Sequence, residues 1–158
     1  MTQPPRILCD EMLGKLARDL RALGYDTAYM QDVADDELLT QASSEDRWLI
    51  TRDRLLAERA GEQGILLSSL DPAEQLEDVV DQLRLKPSPK GFLSRCILCN
   101  RSLEPGPGPD PQVPSDVDPE GLVHCPACAR TYWEGTHVED MRDRLGHVLG
   151  RSEPEHNR

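Results

Sequence analysis

The chain has 158 residues, 37 % of them hydrophobic and only 4 % aromatic, so one or two small domains with mainly aliphatic cores are expected. A formal charge of −11 argues against a protein that holds nucleic acid by bulk electrostatics, although clustered acids that bind divalent cations are counted in that total. No apolar run approaches the roughly 18 residues that span a membrane, and the start Met-Thr-Gln-Pro-Pro-Arg lacks a signal peptide's apolar stretch; a cytoplasmic location is expected.

The excess acid is uneven. Residues 1–85 carry 9 basic and 18 acidic side chains, whereas the remainder carries 9 and 11. Ile7-Leu8-Cys9 reads as a buried strand running straight into Asp10 and Glu11. Leu13, Leu16, Ala17, Leu20 and Leu23 then follow helical spacing, with Lys15, Arg18, Asp19 and Arg21 elsewhere on the turn and Gly24 at the C-terminal stop. Residues 26–30 predict a short strand. Asp35-Asp36-Glu37 opens a second helix, with Asp35 as its cap. Trp48 to Thr51 predicts a strand that again ends near an acid, Asp53. A helix over 55–59 stops at Gly61, and Ile65 to Leu67 predicts the fourth strand. Asp71-Pro72-Ala73-Glu74 has the residues of a capping box, and its helix is expected to run to about Leu85.

Four strands alternating with helices imply an α/β fold with a parallel sheet covered on both faces. Right-handed crossovers bring every strand-to-helix junction to one edge, where Asp10, Glu11 and Asp53 converge and where the Asp35–Glu37 group can arrive from the next junction. A phosphoacceptor receiver domain also carries acids at such an edge. It is set aside because no fifth strand ending in Lys follows.

Lys86-Pro87-Ser88-Pro89-Lys90-Gly91 begins a linker, taken as 86–94, between a domain over 1–85 and a second over 95–149; a flexible tail is expected from 150. The second domain holds Cys96-Ile97-Leu98-Cys99 and Cys125-Pro126-Ala127-Cys128, with 25 residues between Cys99 and Cys125. Two such knuckles supply four thiolates at tetrahedral geometry, the donor set of a structural zinc ribbon with no position left open for catalysis. His124 is adjacent but not needed as a ligand. The loop over 104–121 has six prolines and five acids and is expected to be mobile. Thr136-His137-Val138-Glu139 has capping-box form and opens a helix with Val138, Met141, Leu145 and Val148 on one face. Arg95, Arg101, Arg130, Tyr132, Trp133 and His137 combine charge and aromatic faces as single-strand nucleic-acid surfaces do, or else the two aromatics pack the ribbon against the sheet domain.

Two-metal phosphodiester hydrolysis needs several carboxylates around hard, oxygen-preferring cations such as Mg²⁺ or Mn²⁺. Asp10, Glu37 and Asp53 are the best-placed three, with Asp36 or Glu11 as a fourth. The alternative is that Glu11 and Asp53 simply complement helix dipoles and Asp35 and Asp71 cap helices. The segments 9–18, 23–26, 35–39 and 49–53, with Arg-Cys-x-x-Cys-Asn at 95–100 and the stretch from Cys125 to His137, closely resemble the Mut-seven C-terminal RNase domain family. That family is a PIN-like nuclease domain fused to a zinc ribbon. The resemblance implies a metal-dependent ribonuclease in which Asp10, the acids of 35–37 and Asp53 form the catalytic site. Asp19 stands where the family commonly has an aromatic, which bears on a surface contact and not on the metal site. The expected activity is hydrolysis of single-stranded RNA at an Mg²⁺ or Mn²⁺ centre beside a structural zinc, with Lys15, Arg18, Arg52 and Arg95 contacting RNA and Thr51 helping to position the loop. The competing expectation is a non-catalytic RNA- or ribosome-binding adaptor that uses the ribbon.

Overall fold

The computed structural model describes residues 3–109 and 113–149. They divide into two compact units: residues up to Arg21 with Tyr25–Leu85, and Ala22–Gly24 with the residues from Lys86 on.

The first unit runs β1 (Arg6–Cys9), α1 (Gly14–Ala22), β2 (Thr27–Tyr29), α2 (Asp35–Ser44), β3 (Arg47–Thr51), α3 (Arg54–Ala60), β4 (Gly64–Leu66) and α4 (Pro72–Gln82). All four strands are parallel, in the order β2-β1-β3-β4. A parallel sheet is covered on both faces, and Ile7, Leu8, Cys9, Leu49 and Ile50 are accordingly fully buried. The chain steps from β1 to one side for β2, then crosses back to the other side for β3 and β4. With right-handed crossovers α1 covers one face while α2 and α3 cover the other. Leu38 and Ala42 of α2 and Leu56 of α3 pack there on Leu8 and Leu49. Each fully buried Leu or Ile contributes roughly 1.5–3 kcal/mol through the apolar area it removes from water.

Two of the expected helix starts in this unit differ in detail. Ala34 occupies the N-cap of α2 and no side chain caps it, so Asp35 is the first helical residue; three acids in that turn already complement the dipole. At α4, Asp71 accepts from the Glu74 N–H at 3.1 Å with Pro72 in the first turn, but the capping box is only half made. The Glu74 carboxylate takes the Ser69 hydroxyl at 2.6 Å, and the Asp71 N–H goes to that same Ser69 oxygen at 3.0 Å. The helix ends at Gln82, short of Leu85.

Charged residues read as surface turn out to be interior. Asp19 is 4 % exposed and pairs with Lys15 at 3.8 Å, so it is not a surface contact position. Arg21 is 9 % exposed and donates to the Thr27 carbonyl at 2.8 Å. Arg47, 6 % exposed, binds the Ile7 carbonyl at 3.0 Å, Asp26 Oδ1 at 2.9 Å and Glu45 Oε1 at 2.6 Å. It therefore clamps the amino-terminal ends of β1 and β3 and the turn before β2. Such a charge survives burial because Nε and Nη1 meet two carboxylates and backbone carbonyls.

The second unit contains β5 (Glu104–Pro105), β6 (Val123–His124) and β7 (Thr131–Tyr132), an antiparallel sheet in the order β5-β6-β7, followed by α5 (Thr136–Arg144). Val138, Met141, Leu145 and Val148 are all buried, as their spacing predicts. Gly135, not Thr136, holds the N-cap of α5, so the expected capping box does not form. The loop expected to be mobile is tied at both flanks: Gly106 N–H binds the Leu122 carbonyl at 2.8 Å and Gly108 N–H binds Thr131 Oγ1 at 2.8 Å. Its centre, 110–112, and the tail expected to fray from 150 lie outside the described residues. No described helix is long and apolar enough to cross a membrane.

Removing the Arg47 clamp leaves Asp26 and Glu45 without their buried partner. We expect Arg47→Met to cost about 2–3 kcal/mol in urea unfolding, the low end for a broken buried pair because both acids are partly solvated. A loss under about 0.5 kcal/mol contradicts the clamp.

Candidate functional site

The direction of the chain reverses between β1 and β3, which is the switch point at which open parallel sheets leave a crevice beyond the carboxyl ends of their strands. The register pairs Cys9 with Ile50, so the next residues, Asp10 and Thr51, stand side by side. Asp10 Oδ2 accepts from Thr51 Oγ1 at 2.5 Å, and the same Thr51 oxygen accepts the Asp53 N–H at 3.0 Å. Thr51 is fully buried, so its hydroxyl is a fixed post between the two acids. Each acid also starts a helical turn. Asp10 Oδ1 takes the Met12 N–H at 3.3 Å, while Asp53 Oδ1 takes those of Leu55 and Leu56 at 2.9 and 3.2 Å. Capping thus uses one oxygen of Asp53, and Oδ2 accepts no hydrogen bond among the described residues.

Asp10 is held above the ordinary carboxylate value. Burial is the main cause, the Thr51 and Met12 hydrogen bonds act against it, and the charges of Asp53 and Asp35 push it further up. Three acids whose like charges reach one another form an electrostatic well for a cation. Among the described residues, however, only the four cysteines bring three or more donor atoms within one coordination sphere; the acids stand wider.

Asp35, read from the residues as a helix cap and included by resemblance only within the 35–37 group, adds its charge to the field at Asp10. Asp35, Leu38 and Ala42 form an i, i+3, i+7 series, and the latter two face the sheet, so Asp35 shares their side of α2. Glu37 lies two residues on, about 200° around the helix. It is exposed and lines an open cavity with Met30, Asp36, Thr40 and Gln41. Asp36 pairs with Arg59 of α3 at 2.5 Å. Glu11, considered as a fourth acid, instead accepts the Asp32 N–H at 2.8 Å while its carbonyl takes the Tyr29 hydroxyl at 2.7 Å, so it latches the loop that leads into α2. Gly14 makes this possible, since a Cβ there would meet Tyr29 Oη at 3.0 Å.

The four expected basic contacts separate. Lys15 pairs with Asp19 and Arg18 is exposed on α1. Arg52, between Thr51 and Asp53, has its Nε buried with no hydrogen-bond partner among the described residues. Arg95 serves the ribbon: Nη1 donates to the Asn100 carbonyl at 2.7 Å. Cys9 is fully buried beside these acids, and burial pushes its thiol up, so it has no nucleophilic character.

In the second unit the sulfurs of Cys96, Cys99, Cys125 and Cys128 all lie within 4.8 Å of one another. Four sulfurs about 2.3 Å from a tetrahedral ion stand about 3.8 Å apart. Cys96 and Cys128 meet that spacing, at 3.8 Å, so the set could hold a zinc ion. The two knuckles are built alike. Cys96 N–H binds the Arg101 carbonyl at 2.8 Å and the Asn100 N–H binds the Cys96 carbonyl at 2.9 Å. Cys125 with Arg130 and Ala129 repeats both bonds at 2.9 Å. Asn100 and Ala129 take positive φ of 65° and 67° to close the turns. Burial opposes ionisation of Cys96, but hydrogen bonds from the Tyr132 hydroxyl, at 3.2 Å, and from the Cys99 and Leu98 N–H groups bring it down to about 7. His124 stays outside the cluster, its Nδ1 at 3.1 Å from the Gly106 carbonyl.

A parallel α/β unit with acids at its switch point, followed by a four-cysteine ribbon, defines the class: a two-part protein with a sheet-edge site and a separate metal-ribbon fold. The Mut7-C RNAse domain model matches residues 5–145, and the chain belongs to that family, which points to a nuclease-like function. No curated protein and no solved structure gives a match.

Two measurements follow from this geometry. Purified protein should carry an equimolar amount of zinc by metal analysis, and Cys125→Ser, at a buried ligand position, should lose it together with the folded ribbon. A Cys125→Ser protein that keeps both contradicts the assignment. Asp10 binds its proton more tightly folded than unfolded, so what it contributes to stability is full below its usual value near 3.8 and lost as pH rises through the raised one. Asp10→Asn keeps the acceptor for Thr51 and removes the charge. Without added divalent metal it should raise Tm by about 1–3 °C at pH 7.5, discounted for partial solvent screening, and the gain should vanish toward pH 4.

Proposed function

We propose that the first unit is a divalent-metal-dependent ribonuclease whose centre is the switch-point acids Asp10 and Asp53, completed by Asp35. The observation that carries this reading is the Thr51 hydroxyl, which bonds the Asp10 carboxylate and the Asp53 backbone N–H across neighbouring strand ends, beside an Asp10 that burial and, to a smaller extent, the charges of Asp53 and Asp35 raise. Capping accounts for the Oδ1 atoms of Asp10 and Asp53 but not for a raised Asp10 among neighbouring acids. That is the arrangement that a cation relieves.

The donor set is all oxygen, which suits Mg²⁺ or Mn²⁺ and not a soft metal. Asp10, Asp53 and Asp35 would hold the ion, with the open Oδ2 of Asp53 as one donor. When bound, the ion supplies activation of water and stabilisation of charge on the leaving oxygen. The protein's own residues do the rest. Thr51 keeps Asp10 and Asp53 in register through the reaction. The unpartnered Nε–H of Arg52 is a donor for a non-bridging phosphate oxygen, which would orient the phosphorus for attack opposite the departing ribose oxygen. Water adds to phosphorus as that P–O bond breaks, giving a phosphate monoester and a free hydroxyl. Lys15 and Arg18 on α1 offer charge for the strand on approach to an otherwise acidic surface.

A non-catalytic RNA- or ribosome-binding adaptor is the second reading, and the wide spacing of the acids favours it. It predicts no heat of Mn²⁺ binding beyond that lost on ribbon unfolding.

RNA cleavage with and without added Mn²⁺ separates the two. Asp10→Asn and Asp53→Asn should each lower the metal-dependent rate by more than roughly 100-fold, exceeding the 10- to 100-fold typical of residues that only support ligands. Asp35→Asn should follow them, while Glu37→Gln should stay within about 3-fold of wild type because it faces solvent. Cleavage by the Asp10 and Asp53 variants at the wild-type rate sinks the ribonuclease reading.

A further inference from the structure

Tyr132 closes β7 and Trp133 is the first residue beyond it. Tyr132 turns inward to the cysteines and is 4 % exposed. Trp133 is half-buried and forms one wall of a cavity of about 250 Å³ whose other sides include Arg130, the edge of Tyr132, Gly135 and His137. That volume is below the roughly 300–1,000 Å³ of drug-sized ligand sites. It has room for one flat ring and little else.

The wall is preorganised from both sides. The Tyr132 hydroxyl is fixed by Cys96 Sγ at 3.2 Å and by the Ile97 N–H at 3.3 Å. Glu134 is held by Arg142 through two bonds of 3.0 and 2.6 Å. Between these anchors the indole lies against Gly135: a Cβ there would sit 2.9 Å from Trp133 Nε1. The indole N–H makes no hydrogen bond among the described residues. Arg130 stacks over Tyr132 at 5.5 Å from the ring centroid and enters no ion pair among the described residues. The Trp133 face, a cation held over the adjoining Tyr132 ring with no ion-pair partner among the described residues, and an imidazole in the same cavity lining are complementary to an anion that carries a planar ring.

We propose that this cavity binds one nucleotide of a single-stranded RNA, with the base stacked on Trp133 and its phosphate on Arg130. The choice of RNA as occupant rests on the ribonuclease reading; the site itself is separate from the carboxylates and lies wholly within the ribbon unit. Stacking is tolerant of base identity, so the site grips the strand without selecting its sequence. Because the aromatic is already fixed, little side-chain entropy is lost on binding.

The test uses the full chain in a Trp48→Phe background, which leaves Trp133 as the remaining tryptophan of the two. Hexauridylate is titrated without added divalent metal and without chelator, so that zinc is kept and cleavage is not required. We expect saturable quenching of Trp133 fluorescence. By anisotropy with labelled hexauridylate, Trp133→Leu and Arg130→Ala should each weaken binding by roughly 5-fold or more. Gly135→Ala, which displaces the indole while keeping it, should do the same, with zinc content and far-UV circular dichroism unchanged. Absence of quenching, or wild-type affinity in all three variants, overturns the proposal. Uridine monophosphate binding as tightly as the hexamer overturns the strand and assigns the cavity to free nucleotide. The two readings fail separately: quenching survives Asp53→Asn if the cavity is right, and metal-dependent cleavage survives loss of quenching if only the cavity is wrong.

Discussion

The acidic edge depends on one hydroxyl. Thr51 is buried at the end of the central strand β3, donates to Asp10 and accepts from the backbone of Asp53, and so makes a single unit of two acids that belong to different strands. Without it Asp10 would be free to turn to solvent, where its charge is cheapest, and the like-charge contact with Asp53 would relax. The sheet order supplies the other half of the constraint. Only at the switch point do the connections leave in opposite directions and keep helices from closing over the strand ends. A residue that packs, bonds and positions at that point links the fold to the chemistry directly.

The ribbon unit solves a different problem with the same economy of parts. It has few apolar residues, three strands of two residues each, and a long Pro- and acid-rich loop, so its hydrophobic core alone is small. Four thiols whose sulfurs lie within 4.8 Å of one another could hold a zinc ion there, which would add what a small core lacks. Tyr132 ties the aromatic content of the unit to those thiols, and its neighbour Trp133 forms one wall of the cavity.

The parallel sheet could be read in the sequence because strands buried on both faces appear as unbroken apolar runs, and Ile7-Leu8-Cys9 and Trp48 to Thr51 are such runs ending beside acids. The four cysteines were readable because they fall into two Cys-x-x-Cys pairs, and the structure brings the pairs together. Which of the three consecutive carboxylates 35–37 shares the sheet-facing side of α2 is set by the rotation of that helix, and that rotation is set by which residues pack on the sheet. Leu38 and Ala42 carry that information, so the i, i+3, i+7 series through Asp35 was present but unused. Asp19, Arg21 and Arg47 were not readable at all. Their burial rests on acceptors contributed by β1, the β2 region and the α2–β3 turn, which no local pattern reveals.

The central claim is that the acids at the β1–β3 switch point form a site for a hard divalent cation. Anomalous diffraction from crystals soaked in Mn²⁺ tests it without relying on any substrate. A manganese peak within about 2–2.6 Å of carboxylate oxygens of both Asp10 and Asp53, lost in an Asp53→Asn crystal, is the result this account predicts. A peak confined to Asp36 and Glu37 on the solvent side of α2, or no peak at the strand ends at saturating Mn²⁺, would contradict it.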